Sequence, residues 1–163
     1  MEIVERILSH AIYNNEPLTE DFEDFVNILV HKLKFVSEEN RPQVCIIDQQ
    51  DGVLAIEKPE FKDVLEVAGG RICTDIQDAE KIIFIQHNGA LYPQLSQWMG
   101  DSAFIASTAF KNNEVYIINN KETIHPKTAN DLQVKLEVLS EIIQPTYFMF
   151  GRENDFWVKF EVN

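Results

Sequence analysis

The sequence predicts an α/β fold: three layers, a mostly parallel sheet flanked by helices, and an antiparallel C-terminal edge strand. Three short, unbroken apolar runs carry the prediction: 44–47 (VCII), 82–85 (IIFI) and 115–118 (VYII). Strands buried on both faces read this way, as they do in parallel sheets. Between and around these runs, apolar residues recur at helical spacing. Strand alternating with helix builds a layered sheet with right-handed crossovers and helices on both faces. A chain of 163 residues with 45% hydrophobic content is of single-domain length and can bury a core.

In chain order, residues 2–14 form a candidate helix with Ile3, Ile7, Leu8, Ala11 and Ile12 on one face. The sequence 14–17 (NNEP) breaks it. Thr19 is a good N-cap for a second helix, because its hydroxyl can accept from a free backbone N–H. Phe22, Phe25, Val26, Leu29, Val30 and Leu33 mark an amphipathic stripe reaching about Val36. After a polar linker at 37–42 comes the first strand. A short helix follows, with Phe61, Val64, Leu65 and Ala68 on one face and Gly69-Gly70 as its cap, since glycine takes left-handed backbone without strain. The second strand precedes a helix at 92–99 with Leu91, Leu95, Trp98 and Met99 facing inward. Asn112-Asn113 is a turn before the third strand. The helix starting near Ala129 carries a spine of Leu132, Leu136, Leu139 and Ile143, and Pro145 stops it. The tail 155–162 alternates, with Phe156, Val158, Phe160 and Val162 on one face and Lys159 and Glu161 on the other. That pattern describes an antiparallel edge strand with one wet face. Residues 1–40 are expected to be helices packed on a lobe formed by 41–163, as one globular unit.

Charge excludes several functions. The formal net charge is −13, with no basic footprint for a nucleic acid and no attraction to an anionic membrane surface. No apolar run approaches the ~20 residues needed to span a bilayer. The N-terminal segment MEIVERILSHAIYNNE mixes acids with apolar residues and lacks the pattern of a secretory signal, so a cytoplasmic location is expected. Cys45 and Cys73 sit in apolar segments outside any CxxC pair and are expected to be buried, reduced thiols.

Chemistry is sparse. The four histidines, His10, His31, His87 and His125, form no HExxH or HxH. His10 and His31 lie on predicted helices with no second ligand nearby. His87 follows the second strand and His125 follows the third. Ligands collect at the carboxyl ends of strands in open α/β sheets, so these two are the best-placed histidines. Both also suit plain turn residues. Asp75 and Asp78 could hold a hard cation, but without EF-hand spacing they read as solvated loop acids. GxSxG, P-loop and GxGxxG motifs are absent, so nothing supports an enzyme. The alternating tail and the Phe22/Phe25 helix each suggest a homodimer surface, against packing on the chain's own core.

Five segments occur in a telling order: RPQVCII, LEVAGG, AEKIIFIQHNG, AFKNNEVYIIN and LEVLSEIIQPTYF. Together, over about 41–148, they resemble the C-terminal lobe of the periplasmic binding proteins for iron-siderophore, haem and cobalamin uptake. The resemblance implies that the family's N-terminal lobe is absent, with 19–36 matching the end of the helix that joins the lobes. The family often carries a permease-docking Glu after Gly-Gly, where this chain has Arg71. The stretch between Gly70 and Ala79 is short, which implies that a family helix is lost here, and the family's Pro-Gly-Pro-Arg-like loop reads His125-Pro126-Lys127-Thr128. The resemblance implies a stand-alone module for a metal chelate: a ferric chelate, haem or a corrinoid. Its ligand is expected at loops 48–57, 86–92 and 119–127, against His87, Tyr92 and His125. Imidazole ligates iron or cobalt, and Tyr92 would stack on or ligate a macrocycle. Half a site binds weakly, so a homodimer is expected to complete it. The alternative is an interaction or regulatory protein that kept the fold and lost the ligand.

Overall fold

A computed structural model describes residues 20–49, 52–53, 59–119 and 129–161. The first strand is β1 (Gln43–Asp48), followed by β2 (Gly52–Val53), β3 (Arg71–Ile72), β4 (Lys81–Ile85), β5 (Val115–Ile118) and β6 (Trp157–Lys159). They form one sheet in the order β2-β1-β4-β5-β6, with β3 also pairing with β1. β1, β3, β4 and β5 run parallel, whereas β2 and β6 are antiparallel to their neighbours. The three expected apolar runs are the three central strands. Every residue of β5 is buried, as are all but the first residue of β1 and β4.

Alternation along these strands divides the core into two layers. Val44, Ile46, Ile83, Ile85, Tyr116 and Ile118 face helices α1 (Glu20–Leu33), α2 (Pro59–Val67) and α6 (Ala129–Ile143). Cys45, Ile47, Ile82, Phe84, Val115 and Ile117 face α3 (Leu91–Trp98), α4 (Ser102–Ala106) and α5 (Thr108–Lys111). This is the expected three-layer arrangement.

In α1, Phe22, Val26, Leu29 and Leu33 are buried, at the i, i+4, i+7, i+11 spacing of one helical face. Val30 was expected on that stripe but is 42% exposed. It lies about 100° around the helix from Leu29, on the flank. The helix also ends at Leu33, before Val36, because Lys34 and Val36 donate to the i−3 carbonyls of His31 and Leu33 and tighten the last turn. The helix predicted over 2–14 and the Thr19 cap lie outside the described residues.

α2 ends as its glycines predict. Gly69 has φ +97°, the Gly69 N–H donates to Glu66 O, and the Gly70 N–H donates to Leu65 O. This pair of bonds is a Schellman cap. A Cβ at Gly69 would stand 2.6 Å from Gln144 Cγ, and Gln144 Nε2 donates to Gly69 O. Gly69→Ala should therefore cost about 2 kcal/mol, combining left-handed strain with displacement of Gln144. Urea unfolding would measure this, and an unchanged midpoint would refute it.

Between β4 and β5, the two short helices α4 and α5 were not anticipated. Asp101 caps α4 by accepting from Phe104 N, and Ser107 caps α5 by accepting from Phe110 N. Phe104 is fully buried, with ring neighbours Phe84, Trp98 and Phe110.

α6 carries the expected spine and more. Its residues are buried continuously from Lys135 to Ile143, because α1 and α2 pack on it and the tail folds back over its far side. Among these, Glu141 takes four donors: the backbone N–H groups of Phe150, Arg152 and Glu153, and Trp157 Nε1 at 3.0 Å. Glu137 pairs with Arg152 through Nη2 at 2.7 Å and Nε at 2.8 Å. The regular edge strand shrinks to the three residues of β6. Its expected wet face is not fully wet. Trp157 is buried against the α6 side, while Val158 and Phe160 pack on the opposite layer. Phe22 likewise packs on the chain's own core.

Candidate functional site

β1 and β4 end side by side, with Asp48 in register with Ile85. The chain then turns outward at both places, at the carboxyl edge of the sheet. His87 Nε2 lies 2.7 Å from Asp48 Oδ2, and the side chains are 10% and 0% exposed. An ionised carboxylate only accepts, so Nε2 carries the proton and donates. Asp48 thereby sets the tautomer and orientation of the His87 ring.

Gln49 fixes the loop around this pair. Its Oε1 accepts from the backbone N–H groups of His87 and Asn88, and its Nε2 donates to Asn88 Oδ1 at 2.7 Å. Asn88 Oδ1 also accepts from Ala90 N, leading into α3. Tyr92, in the first turn of α3, is 51% exposed and faces solvent near this loop. The edge therefore holds a largely buried imidazole and fixed amides, with an exposed phenol in the helix that follows.

Of the three predicted ligand residues, His87 stands at the strand ends beside Asp48 and Tyr92 in the first turn of α3, exposed. His125 and His10 fall outside the described residues, as do most of loops 48–57 and 119–127. His31 sits exposed in the last turn of α1. Asp75 caps the short 3₁₀ turn Ile76–Asp78 by accepting from Gln77 N. Among the described residues, no group of three or more His, Cys, Asp and Glu side chains is arranged to hold a metal. Asp48 and Gln49 fall at the start of the expected ligand loop 48–57, but sequence alone did not single them out. The available signal was an acid closing an otherwise apolar strand, VCIID.

Other reactive side chains are tied up structurally. Cys45 and Cys73 are free and buried. Burial pushes the Cys45 thiol up to about 12, with Cys73 and Asp75 adding to the effect. Burial also raises the Cys73 thiol, against a lowering contribution from its bond to the Asp75 carbonyl. Both therefore stay protonated and poorly nucleophilic at neutral pH. Burial lowers the Lys81 ammonium, while Glu114 supports its charge. Its Nζ donates to Ile142 O at 2.7 Å, capping the end of α6. Burial raises the Tyr116 phenol, and its hydroxyl donates to Glu114.

No family model matches the sequence, and no curated protein matches it. Solved structures do. The chain shares its fold with solute-binding proteins. An ABC transporter solute-binding protein from Sulfurospirillum deleyianum superposes with TM-score 0.56 at 18% identity, over 86% of this chain and 46% of that one. CeuE from Helicobacter pylori, in its Ni-His complex, superposes with TM-score 0.56 at 14% identity, over 89% and 51%. An ABC transporter substrate-binding protein from Listeria monocytogenes gives TM-score 0.60 at 15% identity, over 77% and 55%. The chain thus spans about half the length of these neighbours. The first and third are by name ABC transporter binding proteins. No helix among the described residues is long and apolar enough to cross a membrane.

Proposed function

We propose that this chain is a ligand-binding module for a metal chelate, bound at the carboxyl edge of the sheet against His87 and Tyr92. The buried Asp48–His87 pair carries the reading. Burying a carboxylate is costly unless it is bonded, and here the bond orients an imidazole at the strand ends, where α/β sheets take their ligands. The fold shared with CeuE, captured as a Ni-His complex, supports a chelated metal as the ligand class. A ferric chelate, haem or a corrinoid would take an imidazole nitrogen as a metal ligand and an aromatic ring as a stacking partner. His125 belongs to this proposal as a further ligand from the loop after β5. One edge gives half an enclosure, so two copies facing each other would complete the site as a homodimer.

The test is titration with Ni(II)-histidine, ferric catecholate, haemin and cyanocobalamin, read by melting temperature and visible absorbance. One chelate should raise the melting temperature, and His87→Ala should weaken that binding about tenfold or more, as loss of a ligating group does. Sedimentation should show ligand-bound dimers. If no chelate shifts the melting temperature, the proposal fails.

A further inference from the structure

The opposite end of the sheet holds a concavity. It lies beyond the amino end of β1, roughly 20 Å along that six-residue strand from the His87 edge. A groove of about 720 Å³ opens there between the C-terminal ends of α1 and α2. Leu33, Val67 and Ile72 line its floor, and half-exposed Val30 lines one wall. Its basic groups are Lys34, Arg41, Lys62 and Arg71. Among the described residues the lining holds two acids, Glu38 and Glu66, against these four basic groups, a local excess of positive charge in a chain whose net charge is −13.

The bland reading of Arg41 is a helix cap: Nη2 donates to Leu33 O at 2.9 Å and Nη1 to Glu66 O at 3.3 Å. That role leaves Arg71 unexplained. Its Nε donates to Arg41 O at 2.7 Å, which holds the guanidinium at the groove without using its two terminal nitrogens in that bond. A guanidinium fixed in this way is pre-organised for a carboxylate. Exposed Lys34 and Lys62 add unconstrained positive charge on either side. Beside the groove, Phe35 is 86% exposed, with Lys34 Nζ 5.6 Å from its ring centre.

We propose that this groove docks an acidic, partly apolar peptide segment of a partner protein, with side chains on the Leu33–Val67–Ile72 floor and carboxylates at Arg71, Lys62 and Lys34. A small inorganic anion would leave the apolar floor and Phe35 uncovered. A duplex or an anionic vesicle would set an extended charged surface against a chain at net charge −13, whereas a short peptide need meet only the basic groove. A short peptide matches both the apolar and the basic parts. The site is independent of whatever binds at the His87 edge.

The probe is a fluorescein-labelled decapeptide alternating Glu or Asp with Leu, followed by anisotropy on the full chain. It should bind the wild type, and Lys62→Glu and Arg71→Glu should each weaken binding about tenfold. Phe35→Ser should weaken it several-fold, while His87→Ala should leave it unchanged. Lys62 is exposed, so its charge reversal keeps the test valid even if Arg71→Glu misfolds. Equal binding by a decapeptide of Glu and Ser would reduce the groove to a non-specific anion surface and overturn the proposal. So would indifference to charge reversal, or displacement of the probe by phosphatidylglycerol vesicles or duplex DNA at matched charge.

Discussion

Glu141→Ala is expected to lower the unfolding free energy by about 3–5 kcal/mol, the range for breaking a buried charged network from one side. The carboxylate is only 6% exposed and accepts from Phe150 N, Arg152 N, Glu153 N and Trp157 Nε1. Removing it strands the buried indole donor, at about 1–3 kcal/mol for an unsatisfied buried group, and three part-buried backbone donors that add less. Relaxation toward water at the tail returns part of that cost. For a chain of this size the loss corresponds to a melting temperature lower by roughly 10 °C. Glu141→Gln keeps one acceptor and should recover part of the loss, whereas Glu153→Ala, which keeps its backbone N–H, should be nearly neutral. Urea unfolding followed by Trp157 fluorescence reads all three. A Glu141→Ala protein as stable as the wild type would remove the carboxylate from its assigned role.

The second large effect belongs to the opposite layer. Phe104→Ala should cost about 3–5 kcal/mol, the range for truncating a fully buried aromatic. The ring is 0% exposed, with centroids 6.0 Å from Phe84, 6.0 Å from Trp98 and 5.4 Å from Phe110. Edge-to-face and tilted pairs of this kind add about 0.5–1.5 kcal/mol beyond area burial. Phe104→Leu should cost markedly less, because it refills most of the volume. Near-UV circular dichroism should lose signal from Trp98 in the alanine variant. Equal stability of the alanine and leucine variants would show that the pocket is not filled as described.

The central strands were legible because burial on both faces leaves an unbroken apolar run, as in VCII, IIFI and VYII. The α6 spine was legible through its period, and Gly69-Gly70 through the left-handed backbone that its cap requires. α4 and α5 were not, because five and four residues are too few to show a helical period. Their caps, Asp101 and Ser107, were the only local signals. β2 and β3, at two residues each, carry no pattern and are fixed by pairing with β1. His87 could be placed at the strand ends from sequence, but Asp48 could not be matched to it across 39 residues. The same holds for Glu141, whose donors are mostly main-chain groups and so leave no mark in residue type. Arg71 stood out as a charge after two glycines, but only the fold shows it sharing a groove with Lys34 and Lys62.

The pairing of β6 with β5 has a further consequence, for self-association on heating. β5 is four fully buried apolar residues, and β6 covers the side of it away from β4. A bared strand edge of that composition is adhesive toward any other chain in the same state. β6 itself is short, and Glu141 secures the segment that leads into it. Loosening that tether would uncover a sticky edge before the rest of the sheet gives way. Precipitation would then begin below the temperature at which the core melts, and shelf life would be set by the segment 150–159 that Glu141 and β5 hold in place.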